Sequence, residues 1–390
     1  MRDAVRVGPL VGLRVVEMGG QGAAPFCALM LSDMGADVIR IDRPLQGDVP
    51  DHPMDTDIIT RGRGSVAVDL KNPDGAEVVR RLTDQADVMI EGFRPGVMER
   101  LGLGPDECRA RNPRLVYGRM SGFGQDGPLA HAAGHDLNYL ATAGVLGAIG
   151  PADGPPVHPL NLIGDFGGGG VLLAFAVAAA LLERAQSGQG QVIDCAMTEG
   201  AAYVMTANLG PMQMGWWTTA RGTNLLDGGA HFYNTYETAD GGFVTFGGIE
   251  PPFYADMLKG LGFEGEDLPE QLDEAHWPAM RRKVAERVRT RTRDEWVRTF
   301  ADLDACFAPV LSPLEAPDHP HHVARHTFTE VGGLTQVGPM PRLSRTPGRI
   351  ARPGSHPGRD TTEQLAAWGF DEATLGDLLD RGVVQQNPDR

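Results

Sequence analysis

Two residues thirty apart in the middle of this 390-residue chain have side chains suited to moving a proton. His135 stands in Gly134-His135-Asp136-Leu137, and Asp165 in Gly164-Asp165-Phe166, followed by the glycines Gly167 to Gly170. An imidazole titrates near neutrality and suits a general base, and a carboxylate can return the proton. Set on opposite sides of one carbon, the pair could take and give back a proton beside a carbonyl. Asp165 precedes an apolar helical run, where a helix N-terminus offers partial positive charge and free amides to an anion. Four consecutive glycines are costly in backbone entropy, and close approach of a ligand to bare amides is one physical reason to keep them. Both residues also have a plainly structural reading, as polar caps of helix starts.

A second constellation is basic. Between residues 40 and 100 lie Arg40, Arg43, Arg61, Arg63, Lys71, Arg80, Arg81, Arg94 and Arg100, and forked guanidinium groups hold phosphates well. That suits a phosphate-bearing carrier. Nucleic acid is not expected, because the net charge is −16 and duplex binding needs a broad basic face. Gly20-Gln21-Gly22-Ala23-Ala24-Pro25, with Asp42 downstream, resembles a dinucleotide fingerprint, but proline replaces the third glycine. It reads as a strand-to-helix turn. Arg43, next to Asp42, suits a phosphate contact or stacking on adenine. His319, His321, His322 and His326 are interrupted by proline and lack metal spacing, so they read as a surface loop. Met205, Met212, Met214, Trp216 and Trp217 form an apolar group whose default role is core packing, although methionine-rich surfaces also accept varied hydrophobic chains.

Cys27, Cys108, Cys195 and Cys306 are scattered, without metal or redox pairing, and suggest a reducing cytoplasm. Three lysines stand against 32 arginines, a skew typical of a GC-rich genome. No signal peptide is visible. The apolar stretch Val171 to Leu182 is too short to span a bilayer and reads as a buried helix, so no membrane span is expected.

The first hundred residues alternate strands and helices. Strands are expected at Arg14–Met18, Val38–Ile41, Val66–Val68, Val88–Ile90 and Leu115–Met120, and helices from Pro25 to Met34 and from Pro73 to Asp84. Such units imply a parallel sheet with ligands at the carboxyl ends of its strands. Helices follow at Asp136–Ile149, Val171–Arg184 and Thr198–Gly210, with a short strand Gln191–Asp194. Asn234–Thr238 and Phe243–Phe246 read as a hairpin, with helices near 276–288 and 292–302 after it. Residues 331–360 have the composition of an extended connection, and Thr361–Arg381 closes with two short helices. The fold class is α/β: a Rossmann-like large domain over 1–210, a linker over 211–224, a smaller α+β domain over 225–325, and a segment 326–390 returning to the large domain.

The chain resembles the family III CoA-transferases (the CaiB/BaiF type), and within them most closely the α-methylacyl-CoA racemases. The resemblance rests on Pro25-Phe26-Cys27, on Asp33-Met34-Gly35-Ala36-Asp37-Val38-Ile39 with Asp42-Arg43-Pro44, on Asp69-Leu70-Lys71, and on Phe93-Arg94-Pro95-Gly96-Val97. It continues in Ser121-Gly122-Phe123-Gly124-Gln125, Gly134 to Leu140, Gly164-Asp165-Phe166, Gly188 to Asp194, Leu226-Asp227-Gly228-Gly229-Ala230 and Ile249-Glu250-Pro251. It implies an interlocked homodimer and a 2-methylacyl-CoA substrate in lipid metabolism. The implied reaction inverts the α-carbon through an enolate by two-base proton transfer, with CoA as part of the substrate and no other cofactor or metal. His135 and Asp165 would be the two bases, with Glu250 orienting His135 and Asp136 beside the pair. The CoA moiety would be held by Arg43, by Ala67, Val68, Asp69 and Leu70, and by Arg94, Gly134, Leu137, Asn138 and Tyr139. The alternative is CoA transfer between carboxylic acids, with Asp165 as the nucleophile that carries the acyl group. His135 and the Ile249-Glu250-Pro251 motif favour the racemase branch. Two departures bear on substrate detail: His231 stands where the racemase pattern has proline, and Gly64 where a basic residue near CoA is usual.

Overall fold

A computed structural model describes residues 6–45 and 57–387. In chain order the first elements are β1 (Arg14–Met18), α1 (Ala23–Asp33), β2 (Asp37–Asp42), β3 (Gly64–Val68), α2 (Pro73–Thr83), β4 (Val88–Glu91), the short helices α3 (Val97–Arg100) and α4 (Pro105–Arg111), and β5 (Val116–Ser121). Next come α5 (Asp136–Thr142), a π-helical stretch Leu162–Val171 running into α6 (Leu172–Ser187), β6 (Val192–Ala196) and α7 (Met197–Val204). The remainder is α8 (Thr206–Gln213), β7 (Tyr233–Glu237), β8 (Phe243–Gly247), α9 (Pro251–Leu261), α10 (Trp277–Val288), α11 (Arg293–Thr299), β9 (Phe307–Pro309), α12 (Pro320–Ala324), β10 (Phe328–Val331), β11 (Leu334–Val337), α13 (Thr361–Ala367), α14 (Glu372–Asp380) and β12 (Val384–Gln385).

These elements form two compact units, residues 1–143, 159–204 and 320–390 in the first and 144–158 with 205–319 in the second. The first holds a seven-stranded sheet in the order β12-β3-β2-β1-β4-β5-β6. Six strands run parallel, and β12 joins antiparallel to β3. Side chains alternate across each strand, and both faces are covered. Val16, Met18, Ile39, Ile41 and Met89 pack on one side with α2, α13 and α14 residues; Val15, Val38, Val88 and Ile90 pack on the other with α1 and α6 residues. The order in which the chain adds strands reverses between β1 and β4, and a crevice opens at the carboxyl ends there. The second unit packs the three-stranded β7-β8-β9 sheet against α9, α10 and α11 around Phe232, Phe246, Trp277 and Trp296.

Several expected boundaries shift for identifiable reasons. The helix expected to reach Ile149 stops at Thr142, because Gly144 takes φ +79°, a left-handed conformation that ends helices. The third helix breaks at Met205 into α7 and α8. Residues 331–360 are not wholly extended: β10 and β11 pair through Gly332 and Gly333 at φ +62° and +79°, the backbone that a tight hairpin turn needs. The apolar run near Val171 is part of a longer helix than its composition suggested. The continuous helical stretch covers Leu162–Ser187, 26 residues, and is long and apolar enough to cross a membrane by length and composition. It is buried on one side only. Leu173, Ala174, Val177 and Ala180 face the core, whereas Phe175 and Leu182 are 69% and 68% exposed.

Candidate active site

Two clefts lie over the carboxyl ends of the strands of the first unit. One, about 590 Å³, is lined by Gly20 to Ala24 after β1, Gly92 to Pro95 after β4 and Met120 to Phe123 at the end of β5, together with Gly134, His135, Tyr139, Asn161, Asp165, Phe166 and Met197. The second, about 650 Å³, follows β1, β2 and β3 and is lined by Asp42, Arg43, Pro44, Val68, Asp69, Leu70, Lys71 and Gly382 among others. Phe93 lines both.

His135 and Asp165 therefore open onto one space. His135 is the N-cap residue of α5 in an extended conformation, where its amide donates to Asn138 Oδ1 at 3.1 Å and its carbonyl accepts the amide of Asn138. The backbone is thus fixed on both sides of the ring, which stays exposed in the cleft. Asp136 points inward instead. Its carboxylate is buried and accepts the Asp165 amide through Oδ1 at 2.8 Å, while Oδ2 has no protein partner. Burial pushes the Asp136 carboxyl up, the amides of Asp165 and Gly164 pull it down, and the Asp165 charge adds to the rise. The sequence suggested that the helix start at Asp165 offers its amides to an outside anion. The Gly164 and Asp165 amides are instead taken by Asp136.

Asp165 lies in the π-helical stretch, a backbone form that recurs at functional sites. Asn161, one turn earlier, donates from Nδ2 to Asp165 Oδ2 at 3.0 Å, leaving Oδ1 as the oxygen free of that bond. Gly22, at φ +76°, faces the same carboxylate, and a Cβ there would sit 3.2 Å from Asp165 Oδ2. The broken fingerprint at Gly20–Pro25 thus forms the wall opposite Asp165. The glycine run has a different reason from the one its composition suggested. A Cβ on Gly168 would meet the Ala201 amide at 2.6 Å, and one on Gly170 would meet the Ala23 carbonyl and the Phe26 ring at 2.8 Å. Neighbouring helices α7 and α1 occupy that space, rather than a ligand.

Tyr139 OH donates to the Gly134 carbonyl and stands edge-on to Phe123. Burial, with the Asp165 and Asp136 charges, raises the phenol, and the Arg94 charge opposes them. Of the residues expected to hold the carrier, Arg43, Val68, Asp69 and Leu70 line the second cleft, and Arg94, Gly134 and Tyr139 line the first. Ala67 is fully buried in β3, and Leu137 and Asn138 lie outside both linings, Asn138 serving the His135 cap. Gly64 is also remote from the clefts, at the opening of β3, where a Cβ would strike the Gln364 side chain at 2.5 Å. Packing by α13 explains that glycine.

Glu250 belongs to the second unit. It is the N-cap of α9, exposed, and Gln271 Nε2 fixes the approach by donating to the carbonyls of Gly248 and Ile249 at 3.0 and 2.9 Å. Its charge contributes to raising the Cys306 thiol, after burial and Asp304. His231 is buried in the same unit, with Nε2 2.8 Å from Tyr254 OH and Nδ1 unpartnered. Sequence reasoning did not single out Asn161, although its spacing of four before Asp165 on a helix was available as a signal. Glu91 and Arg119, discussed below, carried none.

The chain matches CoA-transferase family III over residues 10–361. It is 45% identical to the alpha-methylacyl-CoA racemase of Mus musculus over 97% of this chain and 98% of that one. It is 42% identical to the alpha-methylacyl-CoA racemase of Homo sapiens over the same shares. In fold it is similar to a CAIB/BAIF family protein from Brucella suis, with a TM-score of 0.81 over 93% of this chain and 100% of that one at 23% identity. With the motifs spread along the chain and the parallel sheet that gathers them, these matches establish the family: the chain belongs to CoA-transferase family III.

Proposed function

We propose that this protein inverts the α-carbon of 2-methylacyl-CoA thioesters by moving a proton between two bases. The observation that carries the reading is that His135 and Asp165 reach one cleft from two different helix starts. The 45% and 42% identity to proteins named alpha-methylacyl-CoA racemase supports it. A thioester α-proton is weakly acidic, so the reaction needs a placed base and a stabilised enolate. One base removes the proton, the enolate oxygen takes hydrogen bonds from amides at the head of α5, and the other base delivers a proton to the opposite face. One such donor is typically worth about 3–4 kcal/mol. Asn161 holds the Asp165 carboxylate, and Asp136 fixes its backbone. The CoA phosphates and adenosine take the second cleft, with Arg43 and Lys71 at its wall and Arg94 in the wall of the first. Glu250 keeps the auxiliary role of orienting the base that the family pattern gives it.

The working form is a homodimer in this reading. Support comes from large apolar side chains left open to solvent, among them Phe175, Leu182 and Tyr203 at 68–70% exposure. The scattered free cysteines, three of them buried, are in keeping with a reducing cytoplasm.

The test is incubation with a panel of 2-methylacyl-CoA esters in D2O, following α-deuterium uptake and loss of enantiomeric excess. Uptake without any added free acid is expected. Turnover only with a second carboxylic acid, together with hydroxylamine-trappable acyl-Asp165, would establish CoA transfer instead.

A further inference from the structure

On the reading that the clefts carry a CoA thioester, we propose that Glu91 is a positioning residue. With Arg119 it holds the turn from Gly92 to Gly96, and so Phe93 and Arg94, where the carrier needs them. Glu91 is the last residue of β4, at the point where the sheet order reverses between β1 and β4. It is 1% exposed and Arg119 is 7% exposed. Glu91 Oε2 accepts the Phe93 amide at 2.7 Å. Its Oε1 accepts Arg119 Nε at 3.0 Å. Arg119, on β5, also pairs with Glu99 of α3 at 2.8 Å through Nη1, and its Nη2 is buried without a partner.

A buried ion pair is weak evidence of stabilisation, since apolar replacements often do as well. What distinguishes this one is where its bonds end. One carboxylate oxygen grips the backbone of the turn and the other reaches the neighbouring strand, and the guanidinium carries the tie on to α3 at the far end of the same turn. Phe93 lines both clefts, so a small shift of this turn alters the walls of both. Pro95 is buried and Gly96 sits at φ +80°, while the Phe93 amide at the start of the turn is held by Glu91. Glu91 and Arg119 line neither cleft, and their action passes through Phe93 and Arg94.

The experiment is calorimetric titration of free coenzyme A into the full-length wild type, Glu91→Gln, Arg119→Met, Arg94→Ala and the Glu91→Gln/Arg94→Ala double variant. Steady-state proton exchange on a 2-methylacyl-CoA is measured in parallel. Loss of the charge-assisted bonds is expected to weaken CoA binding about tenfold in both Glu91→Gln and Arg119→Met. The exchange rate at saturating thioester should stay within about twofold, since only binding of the carrier is affected. The double variant should bind no more weakly than Arg94→Ala, because both changes act on one turn. Arg119→Met decides the matter if Glu91→Gln does not fold. Wild-type affinity in the folded single variants, or fully additive losses in the double, overturns the inference while leaving the racemase reading intact. A wild type that does not bind CoA overturns both.

Discussion

At the scale of single residues, the arrangement makes the two bases separable. If His135 and Asp165 serve opposite faces of one carbon, either alanine variant abolishes racemisation, because inversion needs both faces. Exchange without inversion should survive in each, with His135→Ala exchanging one enantiomer and Asp165→Ala the other, read by NMR in D2O. Two variants with the same preference would sink the opposed-face arrangement. Asn161 gives a second expectation. Asn161→Ala frees one oxygen of Asp165 and should lower kcat about tenfold with little change in KM, as loss of one aligning hydrogen bond does; an unaltered kcat would make Asn161 a bystander. Glu91 yields a third. Burial raises its carboxyl to about 7 against the pull of the Phe93 amide and Arg119, with Glu99 adding to the rise. Its folded-state pKa lies above the unfolded value, so its stabilising contribution is present below about 4.5 and lost as pH rises through about 7. Glu91→Gln should therefore lose this part of the decline in stability between about pH 4.5 and 7, while binding CoA less tightly. Wild-type affinity for CoA should also weaken as pH falls through 7, and that inflection should be missing in the variant. A variant that keeps the wild-type decline in stability over that range would refute this account of the burial cost.

At the scale of elements, the glycines around Asp165 make a packing seam. A Cβ on Gly200 of α7 would lie 1.8 Å from the Gly168 carbonyl oxygen, so backbone meets backbone there. Gly200→Ala should destabilise by about 1–3 kcal/mol, the usual range for overpacking, measured by denaturant melts; a neutral result would mean the helices part easily. This seam also shows how far the sequence could be read. The strands β1 to β5 and the hairpin β7–β8 were legible because their apolar periodicity and turn residues are local properties. His135, Asp165, Arg43 and Arg94 were legible as candidates because their residue types carry chemistry, and Asp69 only through the family resemblance. The purpose of Gly168 to Gly170 was not, because their neighbours are Ala23, Phe26 and Ala201, distant in sequence. Glu91 and Arg119 were hidden for the same reason: a carboxylate and a guanidinium on successive parallel strands have no local pattern. The neighbour of Gly64 was hidden likewise, since Gln364 lies beside it in space and 300 residues away in sequence. The π-helical backbone at Asp165 also leaves no mark in composition.

At the scale of the whole molecule, exposed Phe175, Leu182, Tyr203 and Trp216 predict a species of twice the 41.8 kDa chain mass in sedimentation equilibrium. A monomer at micromolar concentration would remove the proposed homodimer. Acid sensitivity should originate in the second unit. His231 is held down to about 4 by burial and by the charge of Arg281. The unfolded chain takes up that proton first, so stability is complete above about 6.5 and declines as pH falls toward 4. His231→Gln, which can keep a bond to Tyr254, should flatten that part of the pH–stability profile; an identical acid limb would show that other groups govern it.

The antiparallel pairing of β12 on β3 also sets a timetable. Val384 lies opposite Val68, the Asp69 amide donates to the Val383 carbonyl, and Gly382 closes the wall of the second cleft. Synthesis proceeds at roughly 5–20 residues per second, so the strand that borders β3 leaves the ribosome tens of seconds after β3 itself. Through that interval the growing chain carries an unpaired sheet edge that is buried in the finished fold and an incomplete carrier cleft. The carrier cleft is therefore complete only after β12 has emerged and paired.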